Sequence, residues 1–210
     1  MDETKRYFDK EAATWDENPV RVKLAEDVGD AMLAQVPLNR ALRVLDFGCG
    51  TGLVTLRLAP LVGTITGADS SQGMLDVLET KSAKSALGNV QTQWLGPDGD
   101  GALGGPYDLI VSSMVLHHIE DLAPLLARFR QCLVPGGRLC VADLDLEGGR
   151  FHEDNTGVFH LGFDRGALCK IFIEAGFEKV DAVTVATVMK PDKEGQVHPF
   201  DIFLISGQRA

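Results

Sequence analysis

Three glycines, Gly48, Gly50 and Gly52, alternate with Cys49 and Thr51 directly after an apolar run that carries Asp46. Alternating glycines let a backbone turn sharply at a strand end and approach a ligand closely. The neighbouring residues discriminate among ligands. A triphosphate loop needs a lysine after its last glycine, and Leu53 stands there instead. A dinucleotide loop wants Gly-x-Gly-x-x-Gly. Counting from Gly48, Leu53 takes the place of the third glycine, and Asp46 would repel a pyrophosphate. S-adenosylmethionine carries a sulfonium and an ammonium and no phosphate, so an acid at position 46 favours it. Asp69 closes the next apolar run (ITGAD), where an acid pairs with the two ribose hydroxyls in this architecture. Both S-adenosylmethionine and NAD carry that ribose, so Asp46 and Leu53 make the distinction.

A second group of residues bears on the acceptor side. His117 and His118 follow the strong apolar run YDLIVS, where a sheet of this type opens its ligand crevice. His117 is expected beside the cofactor, with a possible role as a weak catalytic base. Adjacent helical histidines project about 100° apart, and no cysteine partner is suitably spaced, so no metal is expected. The stretch EGGRFHEDNTGVFHLGF carries Phe151, Phe159, Phe163, His152 and His160. Aromatics with sparse polar groups suit a small acceptor. The competing explanation is a hydrophobic cluster pinning a long loop. Trp15, with Tyr7 and Phe8, would form the opposite wall as a lid, against ordinary helix packing as the alternative. Trp15, Phe151, His152 and His160 are therefore the candidate substrate residues.

These residues need elements to hold them. From residue 41 onward, short apolar runs alternate with helical segments, the pattern of a parallel sheet covered by helices. Strands are predicted at 42–47, 63–68, 90–95, 107–112 and 137–143. Helices are predicted at 51–61, 72–87, 122–133 and 164–175. Pro135, Gly136 and Gly137 read as the turn that stops the third of these helices, and Asp164 as an N-cap for the fourth. Two further strands, 180–189 and 200–207, would form an antiparallel pair at the sheet edge, joined by PDKEGQVHP. Residues 2–38 read as helices rich in charge. Neither a linker nor a repeat divides the chain. One domain is expected, with a helical lid at 1–38, a cofactor-binding core at 40–145 and a candidate substrate loop at 146–163.

Composition narrows the partners. The chain has 210 residues, enough for one substantial core, and a formal charge of −10. Without a lysine or arginine cluster, that charge disfavours nucleic acid and anionic membrane surfaces. No apolar run approaches the roughly 18–20 residues of a membrane span, and the amino terminus lacks the apolar core of a secretory signal. Cys49, Cys132, Cys140 and Cys169 form no C-x-x-C pair and read as free thiols in a reducing compartment. A cytoplasmic protein is expected, monomeric or homodimeric.

Four blocks, VLDFGCGTG, TGADSSQGML, YDLIVSSMVLHHIED and LVPGGRLCVAD, occur in an order and spacing that resembles the class I S-adenosylmethionine-dependent methyltransferases. The likeness is greatest to the small-molecule branch of ubiquinone/menaquinone-type (methyltransferase type 11) enzymes and covers roughly residues 40–145. It implies a Rossmann-like, doubly wound α/β sheet of seven strands with a terminal antiparallel strand and helices on both faces. It also implies methyl transfer to a small molecule by in-line displacement, leaving S-adenosylhomocysteine. Asp46, Gly48 and Gly50 would line the methionine part of the cofactor, with Cys49 contributing backbone. Asp69 would hold the ribose, Ser70 and Met74 would pack beside ribose and adenine, and Ser112 would close the methyl-transfer end. The chain departs from the family after the third strand. Gly96 stands where an Asp often binds the adenine amino group, so either Asp98 reaches back or Leu95, Gly96 and backbone hold the base. Two alternatives are weighed: an NAD(P)-dependent oxidoreductase, which leaves Asp46 and Leu53 unexplained, and a non-catalytic cofactor-binding domain on the same fold.

Overall fold

The computed structural model describes residues 8–191 and 195–210. Seven strands form one sheet: β1 (Arg43–Phe47), β2 (Thr64–Asp69), β3 (Val90–Trp94), β4 (Tyr107–Ser113), β5 (Leu133–Leu144), β6 (Phe177–Pro191) and β7 (Val197–Arg209). Their order is β3-β2-β1-β4-β5-β7-β6. The first five run parallel, and β7 pairs antiparallel with both β5 and β6. The chain therefore moves outward from β1 to β3, then returns to start β4 on the other side of β1. That reversal opens a crevice at the carboxyl ends of β1 and β4.

Alternation along the central strands explains the two covered faces. Leu45, Ile110, Leu139, Val141 and Phe203 point to one side, against Leu125, Leu126 and Phe129 of α4 (Leu122–Cys132) and Leu168 and Phe172 of α5 (Arg165–Glu174). Val44, Leu109, Val111, Cys140 and Leu204 point to the other, against Val28 and Met32 of α1 (Pro19–Gln35) and Val54 and Leu58 of α2 (Leu53–Leu58). Burial on both faces is why these strands read as nearly continuous apolar runs. α3 (Gln72–Lys84) places Leu75 and Leu78 against Cys49 behind the glycine loop.

Helix starts follow local chemistry. Asn18 accepts from the backbone N–H groups of Val20 and Arg21, with Pro19 in the first turn of α1. Ser71, Asp121 and Asp164 cap α3, α4 and α5 in the same manner.

Several expected boundaries move. The helix after the glycine loop spans only Leu53–Leu58, because Gly52 at φ +83° holds the preceding turn and Pro60 tightens the exit into a 3-10 segment at Ala59–Leu61. α3 ends at Lys84, three residues early. Pro135-Gly136-Gly137 is an irregularity inside β5, not a separating turn. Pairing jumps from Tyr107↔Leu133 to Leu109↔Arg138 and then continues in register. The charged amino-terminal stretch forms two 3-10 segments, Phe8–Lys10 and Ala12–Glu17, before α1. Tyr7 and residues 192–194 of the predicted β6–β7 connection lie outside the described residues.

Phe129 is fully buried and meets Phe47 edge-on at 5.0 Å, joining α4 to the strand that carries Asp46. Phe129→Ala should lower the unfolding free energy by about 3–5 kcal/mol, measured by urea denaturation.

Candidate active site

The carboxyl edge of the sheet delivers three buried aspartates, one each from β1, β2 and β5. Asp46 is 2% exposed, and the Thr55 hydroxyl donates to its Oδ2 at 2.5 Å. Burial pushes its carboxyl up to about 7, opposed by the Thr55 hydrogen bond and reinforced by the charge of Asp69. Asp69 accepts from the Gly50 N–H and the Ser71 N–H, both at 2.8 Å. Burial raises its carboxyl as well, against those backbone bonds. Asp69 thus shapes the glycine loop in addition to facing the crevice. A carboxylate offers about four acceptor positions, so beyond the Gly50, Ser71 and Ser70 N–H groups one remains.

The loop itself is a shallow cradle. The N–H groups of Gly48 and Cys49 both donate to the Ala68 carbonyl, folding the turn back onto β2. Gly48 has φ +68°, and a Cβ there would lie 2.3 Å from Val115 Cγ2. Gly50, at φ +54°, would aim a Cβ into open space, which marks the face a ligand can approach. Cys49 is buried, and burial together with the carboxylates of Asp46 and Asp69 pushes its thiol up. A buried thiol raised in this way is not available as a nucleophile.

The remaining cofactor-side residues are placed less uniformly. Ser70 follows Asp69, and its carbonyl accepts from the Trp94 indole N–H at 3.0 Å. Met74 and Leu95 are buried, and Gly96 (φ +77°) starts a turn closed by the Gly99 N–H, with Asp98 exposed within it. Ser112, expected to close the methyl-transfer end, is fully buried, and its hydroxyl donates to the Phe47 carbonyl. It ties β4 to β1, which takes its hydroxyl away from the crevice.

The amino-terminal segment packs over this edge, as a lid would. Asp9 accepts from the Ser71 hydroxyl and the Gly73 N–H, which hold its carboxyl below the usual range. Asp16 accepts from the Thr51 hydroxyl and Lys81 Nζ, each at 2.6 Å. Trp15 lies half-buried under the Arg21 guanidinium, and Phe8 touches both Trp15 and His118 edge-on.

The histidines depart most from expectation. His117 and His118 sit in a single 3-10 turn, Leu116–His118, and their ring centroids are 4.1 Å apart. His152, from the loop after β5, places its Nε2 3.2 Å from His117 Nε2. His117 is 1% exposed, with Nδ1 held 2.7 Å from Asp143 Oδ1 and its own N–H donating to Asp143 Oδ2. Direct contact between His117 and an acceptor is closed by that burial. The half-buried His118 and His152 are the members a small molecule meets.

The loop at 146–163 is laced down rather than free. Asp145 bridges to Phe163 and is clamped by Arg165 through two bonds of 2.7 and 2.6 Å, so the loop begins and ends at one place. Phe159 and His160 donate their N–H groups to the His117 carbonyl, His118 Nδ1 meets the Gly157 carbonyl, and His160 Nε2 meets the Ile119 carbonyl. His160 is therefore a pin, and its ring stacks on Phe163. Phe151 is an anchor, edge-on to Phe200 with Lys190 over its ring.

Asp143, Thr55, Asp9, Asp16, Trp94 and the partnership of His118 were not foreseen as site residues. One signal was available: LCVAD ends in an acid as ITGAD does, although the register sets Asp143 one residue further along β5 than Asp69 stands on β2.

Residues 45–139 match the family described as a methyltransferase domain. A ubiquinone biosynthesis O-methyltransferase of Dinoroseobacter shibae is 30% identical over 182 residues, covering 78% of this chain and 73% of that protein. An uncharacterized methyltransferase of Schizosaccharomyces pombe is 33% identical over 155 residues, which is 67% of this chain and 55% of that protein. A solved S-adenosylmethionine-dependent methyltransferase from Aquifex aeolicus shares the fold, with TM-score 0.71, 17% identity, and 98% and 100% of the two chains covered. The chain belongs to the S-adenosylmethionine-dependent methyltransferase family, in agreement with the resemblance of the four blocks, and the nicotinamide alternative is set aside. Matches span 55% and 62% of the length of the Schizosaccharomyces and Mycobacterium relatives. Among the described residues, no helix is long and apolar enough to cross a membrane.

Asp46 carries a pH prediction. Its folded pKa of about 7 exceeds the ordinary 3.8, so between those values the folded chain holds a proton the unfolded chain has lost. Stability from this group falls as pH rises from about 4 to about 7. Urea titrations across that range should show a smaller downward slope in Asp46→Asn than in the wild type.

Proposed function

We propose that this chain binds S-adenosylmethionine against Gly48, Gly50, Asp46 and Asp69 and transfers its methyl group to a small-molecule acceptor. The acceptor would enter between residues 8–17 and the loop at 146–163. The observation that carries this reading is Asp46, a buried acid at the mouth of an open glycine cradle. Burial disfavours its charged form, and a cationic ligand restores that form by Coulomb attraction. A pyrophosphate would do the reverse.

The residues fit the group. Gly50 leaves room for close approach, and Asp69 keeps an acceptor position beyond its three backbone bonds. When bound, S-adenosylmethionine supplies a methyl carbon already activated by its sulfonium. The chain's task is then alignment, holding an acceptor atom about 3–3.5 Å from that carbon and in line with the breaking bond. As the new bond to the acceptor forms, the carbon–sulfur pair returns to sulfur, and any acceptor proton leaves to a base or to water. The half-buried rings of Trp15, Phe151 and His152 offer a mixed apolar and polar wall suited to a small acceptor. A formal charge of −10 argues against nucleic acid as that acceptor. A non-catalytic cofactor-binding domain is the competing reading, and turnover separates the two.

Isothermal titration with S-adenosylhomocysteine, in parallel with NADH, is the direct test, followed by a screen of small acceptors with labelled methyl donor. Micromolar binding of the homocysteine compound alone is expected. Heat from NADH alone overturns the reading, and cofactor binding without any methylated product points to the non-catalytic domain. Binding of the cationic donor should release a proton from Asp46. Affinity for S-adenosylmethionine should rise up to about tenfold per pH unit below pH 7, and Asp46→Asn should flatten that rise. Asp69→Asn keeps an acceptor oxygen for one of the two loop N–H groups, which bond to different carboxylate oxygens, and should weaken binding at least about tenfold, a loss of about 1.4 kcal/mol.

A further inference from the structure

We propose that His117, His118 and His152 form a binding site for a divalent transition-metal ion of the zinc class, with Asp143 fixing His117 from behind. One ring nitrogen of each histidine lies within 4.8 Å of the other two. The His117 and His152 Nε2 atoms are 3.2 Å apart. Two imidazole nitrogens bound to one tetrahedral Zn²⁺, each about 2.0–2.1 Å away, stand about 3.3 Å from each other. That pair is spaced for a shared ion before any movement, and the third needs only a small adjustment of a half-buried side chain.

The tautomers of His117 and His118 suit ligation, and His152, whose Nε2–H donates in the 3.2 Å contact to His117, would move its proton to Nδ1 on binding an ion. A carboxylate can only accept, so the 2.7 Å contact from His117 Nδ1 to Asp143 places the ring proton on Nδ1 and the lone pair on Nε2. Backbone carbonyls also only accept, so the 2.6 Å contact from His118 Nδ1 to Gly157 puts its lone pair on Nε2 likewise. A carboxylate or carbonyl behind a ligating histidine is the usual outer partner that orients the ring and raises its basicity. Asp143 is fully buried and is held in turn by the Leu144 and His117 N–H groups. The third ring is positioned too. Glu147 accepts from the Arg150 and Phe151 N–H groups, and Lys190 Nζ bonds the Phe151 carbonyl at 2.6 Å, fixing the backbone just before His152.

Three neutral imidazoles suit zinc, copper, nickel or iron better than magnesium or calcium. They leave one coordination position open, as in catalytic sites. Resting on the methyl-transfer reading, that position would take a hydroxyl oxygen of the acceptor and lower its pKa before attack. Ion binding by the three rings stands independently of that step.

The test uses the full chain with any purification tag removed, stripped with chelator and desalted. It is titrated with Co²⁺ while the visible spectrum is recorded, and then with Zn²⁺. One equivalent of Co²⁺ with the intense band of four- or five-coordination, displaced by Zn²⁺, is expected. His152→Ala, with its fold checked by far-ultraviolet circular dichroism, should weaken binding by more than about 100-fold, beyond the range for losing an outer partner. A weak six-coordinate spectrum in the wild type, or equal affinity in a folded His152→Ala, overturns the proposal and leaves a His117–His152 hydrogen bond with His118 packed beside it. The wild-type spectrum decides by itself if the variant does not fold. S-adenosylhomocysteine titrated into the stripped protein reports separately on the cofactor reading.

Discussion

Three carboxylates are buried at one edge of a parallel sheet, and the rest of the site is arranged around the need to satisfy them. Removing a charged acid from water is expensive unless it is hydrogen-bonded, paired or protonated. Each acid meets that requirement differently. Asp69 is stabilised by backbone N–H groups of the loop it shapes, Asp143 by the His117 ring and two backbone N–H groups, and Asp46 by Thr55 alone, through its hydroxyl and backbone. Asp46 has the poorest compensation, and burial leaves its carboxyl near neutrality in pKa. On the proposed reading, a cationic ligand would restore the charge of that acid.

The same edge gathers the two segments that lie outside the regular alternation. The amino-terminal 3-10 turns dock through Asp9 and Asp16 onto the caps of the glycine loop and α3. The loop after β5 is closed at its base by Asp145, Phe163 and Arg165, and its far side is bonded to the turn that carries His117. Both segments meet at His118, which touches Phe8 on one side and the Gly157 carbonyl on the other. The two segments are thereby joined through a few short contacts.

Some elements were legible because their causes are local. Period-two burial on both faces makes the central strands conspicuous, and Asp164 with Gly176 brackets α5 through cap chemistry alone. The strand-end positions of Asp46 and Asp69 and the glycine turn between them were legible because strand ends and glycine freedom are written in sequence. Ser112 was misread because strand direction is legible and side-chain facing at a strand's end is not. Its hydroxyl turns toward the neighbouring strand. Pro135-Gly136-Gly137 was misread because a bulge and a turn use the same residues, and only pairing on both sides tells them apart.

The chain's order of residues by itself determined a doubly wound methyltransferase sheet, the cradle at Gly48–Gly50 and the two acids beside it. These follow from propensities and motifs spanning at most a few tens of residues. Tertiary structure alone decided that His117, His118 and His152 converge, 35 residues separating the first from the last. An α-helical reading splays adjacent histidines. A 3-10 turn would splay them further, by about 120°, so the rings meet because Asp143 holds His117 from one strand and the pinned loop holds His118 and delivers His152 from the next connection. Convergence of that kind depends on the closure of a long loop, whose geometry is set by distant partners and not by its own sequence period.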